Sequence, residues 1–69
     1  MYASIDFTTK NDFRQAVKQG APIVLYSPVQ GMPAINGKVR VEGPWDKSNI
    51  AKTWHAYAVV RDMRVVRVD

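Results

Sequence analysis

The chain has no cysteine and only one histidine, His55. Without thiols it can form neither disulfides nor thiolate metal sites, which fits a reducing compartment. No apolar run approaches the ~20 residues that a membrane-spanning helix needs. The opening Met1-Tyr2-Ala3-Ser4-Ile5-Asp6 has neither the basic start nor the apolar stretch of a signal peptide. A cytoplasmic protein without a membrane partner is the expectation. Acidic residues are also scarce: six Asp and Glu stand against ten Lys and Arg, for a net charge of +4.

Chemistry-bearing clusters are missing as well. A catalytic histidine needs an orienting carboxylate and a nucleophile or substrate beside it. His55 instead alternates with Trp54 and Ala56 in a strand-like pattern, and Ser4, Ser27 and Ser48 stand in no nucleophile-elbow context. The carboxylates Asp6, Asp12, Glu42, Asp46, Asp62 and Asp69 are scattered, with no pair spaced for acid–base work and no calcium-loop pattern. Gly31, Gly37 and Gly43 do not lie between a strand and a helix as a phosphate cradle requires, and they read as turn glycines. No catalytic residue, metal ligand or cofactor is therefore assigned, and a non-enzyme is expected.

What the chain does have is two-residue alternation from Gly37 onward. Lys38-Val39-Arg40-Val41-Glu42, Trp54–Arg61 and Arg64–Val68 each interleave apolar with charged or polar residues. Successive strand side chains point to opposite faces, so this predicts an antiparallel sheet with one packed face and one basic, wet face. Earlier, Tyr2–Phe7 alternates as a first strand with Ala3, Ile5 and Phe7 on one side. Thr9 is placed as a helix N-cap, Asp12 falls in the first turn, and Phe13, Ala16 and Val17 share one face. Gly20 ends a helix spanning about residues 10–19.

Ile23-Val24-Leu25-Tyr26 is the one unbroken apolar run and predicts a central strand covered on both faces. Pro28 closes it, and the long Val29–Asn36 connection is expected to be either a surface loop with a role or a poorly ordered segment. Asp46–Thr53 reads as a polar loop with room for one helical turn, and Trp45 and Trp54 on either side of it are expected to pack on each other or to close one end of the sheet. The whole chain is one domain, 1–69, of class α+β. One helix packs on a four- or five-stranded, mostly antiparallel sheet in the order β-α-β-β-β-β. A core this small is marginal, so the seven Phe, Tyr and Trp residues are expected to supply much of it, with a homodimer as the other route to stability.

The positive charge is concentrated late. Residues 1–37 carry three basic and two acidic residues, and residues 38–69 carry seven and four. In a hairpin closing at Asp62-Met63, Arg61 faces Arg64, with Arg67 further along the strand and Arg40 near if its strand is adjacent. Lys10, Arg14 and Lys18 follow at i, i+4 and i+8, a basic stripe beside the buried helix face. Guanidinium forks suit carboxylate or phosphate. Arg40, Arg61, Arg64 and Arg67 are thus the candidate partner-binding residues, and Met32 and Ile35 would add apolar contact from the loop.

Gly37-Lys-Val-Arg-Val-Glu-Gly-Pro-Trp45, followed by Trp54-His-Ala-Tyr-Ala-Val-Val60 and preceded by Phe7-Thr8-Thr9-Lys10 before a helix, resembles short uncharacterised proteins encoded by tailed bacteriophages. The likeness runs over most of the chain and departs at Asp62-Met63, where a glycine turn would be expected. It implies context rather than chemistry: small phage products commonly bind a host protein or nucleic acid and alter its activity. Three expectations follow. The chain docks on an acidic host protein through the basic sheet face or the 29–36 loop; or it binds nucleic acid, with exposed Trp or Tyr stacking on bases; or it is a structural homo-oligomer.

Overall fold

The structure, a computed structural model, describes residues 1–45 and 53–69. The elements are β1 (Tyr2–Ala3), α1 (Lys10–Lys18), β2 (Leu25–Tyr26), β3 (Gly37–Gly43), β4 (Trp54–Arg61) and β5 (Arg64–Val68). The class is α+β in the expected element order, and both ladders are antiparallel. The polar 46–52 loop lies outside the described residues.

Helix α1 begins and ends as its sequence dictates. Thr9 is extended, and its Oγ1 accepts the Asp12 N–H at 3.1 Å. At the other end Gly20 takes a φ of 81°. The Gly20 N–H then donates to Val17 O and the Ala21 N–H to Ala16 O, the paired bonds of a Schellman stop. Phe13 is fully buried, and Ala16 and Val17 are partly so.

One continuous sheet does not form. β1 and β2 make a two-stranded ladder, while β3, β4 and β5 make a three-stranded one with β4 in the middle. Backbone hydrogen bonds nevertheless join the two ladders into a circuit. The Met1 nitrogen donates to Arg40 O and the Glu42 N–H to Met1 O, the pattern of a parallel pair beside β3. Ser4 N–H bonds Val24 O, and Val65 N–H bonds Ile23 O at 3.0 Å. The 23–26 segment thus touches β1 on one side and β5 on the other, and Phe13, Ile23, Leu25, Val41, Ala56, Ala58, Val60 and Val65 fill the interior.

Three expectations are corrected by this geometry. The first strand is only Tyr2–Ala3; beyond it Ile5 is exposed, because the chain must leave the ladder to reach the helix. β2 is not a two-faced central strand: Ile23 and Leu25 are buried, but Val24 is only partly covered and Tyr26 is exposed. The tryptophans do not pair. Trp45 is 52% exposed. Trp54 stacks on Phe13 at 5.4 Å and donates its indole N–H to Phe7 O at 2.9 Å. Aromatic residues therefore contribute less interior than expected, and alanines and valines from the strands contribute more.

Gly43 explains how Trp54 reaches that position. It lies opposite Trp54 in the β3–β4 ladder, and a Cβ there would collide with the indole ring. Its role is close approach rather than a turn. Gly43→Ala is expected to destabilise the fold by about 1–3 kcal/mol, the usual range for overpacking. Denaturant midpoints compared at equal m-value would measure this.

Candidate binding surface

Cross-strand register fixes which charges share the outer sheet face. Arg40 pairs with Tyr57, Lys38 with Val59, Val59 with Arg67, and Arg61 with Arg64. All five cations are exposed and on one side. The turn between β4 and β5 has positive φ at both Asp62 (52°) and Met63 (69°), the type I′ geometry that hairpin twist favours. The Asp62 N–H is held by Asn36 Oδ1 and the Met63 N–H by Ile35 O, and these bonds stabilise left-handed backbone in residues other than glycine.

Strict alternation along Arg64-Val65-Val66-Arg67-Val68 would send Arg64 and Arg67 to opposite faces. The register slips between Val59 and Val60, so Val65 faces Val60 and Arg67 faces Val59, leaving Val66 without a partner. This is a β-bulge. It returns Arg67 to the outer face beside Arg64 and keeps Val65 and Val68 on the inner side. Val66 itself is 51% exposed.

Two different surfaces result. On the open sheet face, cations are partly neutralised. Asp69 accepts from Arg67 Nε at 2.7 Å and lies 3.0 Å from Lys38 Nζ, and Arg40 Nη2 lies 3.7 Å from Glu42. Tyr57 is half-exposed there, with Lys38 Nζ 5.9 Å from its ring centre. His55 lies opposite Glu42 and, with Arg40, borders a small pocket of about 120 Å³.

The second surface is a trough between α1 and the edge of β5. One section, about 540 Å³, is lined by Val17, Gly20 and Ala21 on the helix side and by Arg61, Asp62, Arg64, Val65 and Val66 on the hairpin side. The adjoining section, about 250 Å³, adds Arg14, Lys18, Arg67 and Val68, and the two share Val17 and Val66. Arg64 Nη2 donates to Gly20 O at 3.3 Å, placing a cation at the negative end of the helix dipole. Arg14, Lys18 and Arg61 make no ion pair with any described residue.

Of the expected partner-binding residues, the structure brings Arg61, Arg64 and Arg67 together. Arg40 lies on the same face of β3, one strand from Arg61 and two from Arg64 and Arg67, and is engaged with Glu42. Met32 and Ile35 are 61% and 57% exposed, yet neither lines the trough. Their loop is tied down by Ser27 N–H to Met32 O and Ala34 N–H to Leu25 O, and Ile35 abuts the hairpin tip. Arg14 and Lys18 of the helical stripe, and Val66, belong to this surface although sequence reasoning did not name them as site residues. The three-residue spacing of Arg64 and Arg67 was the signal for Val66. Comparison with protein-family models, curated proteins and solved structures finds no match for this chain.

The hydrogen bonds from Arg67 and then Lys38 hold the Asp69 carboxyl below the ordinary aspartate range, and the same carboxylate pushes the Arg67 guanidinium up. Stabilisation from Asp69 is therefore complete above the ~3.9 of an unfolded-chain aspartate and is lost as pH falls through the lower folded value. An NMR titration of the Asp69 carboxyl should give a midpoint below ~3.9. Arg67→Gln should move it back up, and an unchanged midpoint would show that the pair is not formed in solution.

Proposed function

We propose that the chain is a small non-catalytic binding protein, phage-encoded, that docks on an acidic host protein through the basic surface of the β4–β5 hairpin and α1. The observation that supports this reading best is the bulge at Val66. It gathers Arg64 and Arg67 on one side and leaves Arg61, Arg14 and Lys18 beside them without carboxylate partners among the described residues. Opposed like charges at Arg61 and Arg64 carry a small cost in the isolated fold. An acidic partner relieves it.

Half-exposed Tyr57, with Lys38 and Arg40 beside it, favours a second reading, in which the open sheet face takes single-stranded nucleic acid by stacking and phosphate contact. Nuclease separates the two. In affinity capture from a bacterial lysate, Arg61→Glu with Arg64→Glu should lose the partner while circular dichroism stays native. Nuclease treatment should leave wild-type capture intact. Retrieval of the same partner by the double variant would remove the hairpin as the site, and capture that vanishes with nuclease would favour nucleic acid.

A further inference from the structure

Resting on the acidic-partner reading, we infer that the trough between α1 and β5 receives an extended acidic segment of the partner, with an aliphatic side chain seated against Val17 and Val66. The floor is purely aliphatic: Val17, Val65, Val66 and Val68, with Ala21 at one end. Valines accept branched or linear apolar side chains but provide no stacking platform. The exposed aromatics Tyr26, Trp45 and Tyr57 all lie outside the trough. Base stacking, the usual anchor of single-strand binders, is therefore unsupported here.

The rim fixes the charge of the occupant. Arg14, Lys18, Arg61, Arg64 and Arg67 border the floor, against the single carboxylate of Asp62 among the described residues. Arg64 and Arg67 have partners, on Gly20 O and Asp69, while Arg14, Lys18 and Arg61 have none among the described residues and can offer their donors to a ligand. Guanidinium and ammonium groups on both banks suit carboxylates placed on either side of a central apolar residue. The backbone mode is also constrained. The Val65 N–H is already bonded to Ile23 O, so addition of a strand to β5 is blocked at that position. Recognition runs through side chains, with Val66 at the centre because the bulge leaves it outside the ladder.

Fluorescence anisotropy at low salt tests this with three labelled probes: a short peptide of glutamates around a central leucine, the same peptide with serine at the centre, and an oligo-dT of matched charge. The leucine peptide should bind roughly tenfold tighter than the serine peptide, as expected for partial burial of one aliphatic side chain. Val66→Ser, at an exposed unpaired position, should abolish that preference without changing the serine peptide's affinity. Arg61→Glu should weaken both peptides. Equal binding of the two peptides, or a preference that survives Val66→Ser, overturns the aliphatic seat while leaving the acidic-partner reading standing. Tighter binding of oligo-dT than of the leucine peptide overturns it in favour of nucleic acid. If no probe binds at low salt, the basic-surface reading itself fails.

Discussion

The hydrogen bond from Val65 N–H to Ile23 O is the constraint on which the rest of the structure depends. Without it the three-stranded ladder would end in a bare edge, and a bare edge invites pairing with other chains. With it the 23–26 segment bridges β1 and β5, and backbone bonds link the two ladders around the interior. That enclosure compensates for a modest set of large apolar residues. Ala56 and Ala58 on the central strand are small, and the bulky Phe13–Trp54 stack completes the interior beside them. The same bond holds β5 alongside the C-terminal end of α1, where the trough opens.

Two features that shape the molecule are departures from regularity. A regular five-residue strand would scatter its arginines over two faces, with one of them directed toward the core. The bulge costs a ladder position and exposes a valine, yet it collects the charges. Gly43 is a second departure, giving up a side chain so that the Trp54 indole can lie against the backbone of the neighbouring strand. Each makes sense locally once the opposing strand is known.

Much of the architecture could be read from the residues themselves. Thr9, Asp12 and Gly20 set the helix limits through short-range bonding, and the alternation of β3 and β4 specified their two faces. The hairpin at Asp62-Met63 was also legible, although those residues are poor turn formers. Its support comes from Ile35 and Asn36, far away in sequence, and so was invisible to local rules. The burial of Ile23–Tyr26 was misjudged because an unbroken apolar run does not reveal how many strands will flank it. Tryptophan pairing failed for a related reason: proximity along the chain said nothing of the space left by Gly43 or of the Phe7 carbonyl. For the basic surface, the facing of Arg61 and Arg64 was legible in the hairpin pattern, but the return of Arg67 to their side was not, since it hinges on a single unpaired residue.

Anchoring of the hairpin tip by Asn36 and Ile35 has a further consequence. A two-residue turn held at both amides cannot sway independently of the segment that grips it, so the arginine backbones on either side are presented on a stiff platform. Whatever adaptation this end of the molecule makes then falls to the long arginine side chains and not to the turn itself.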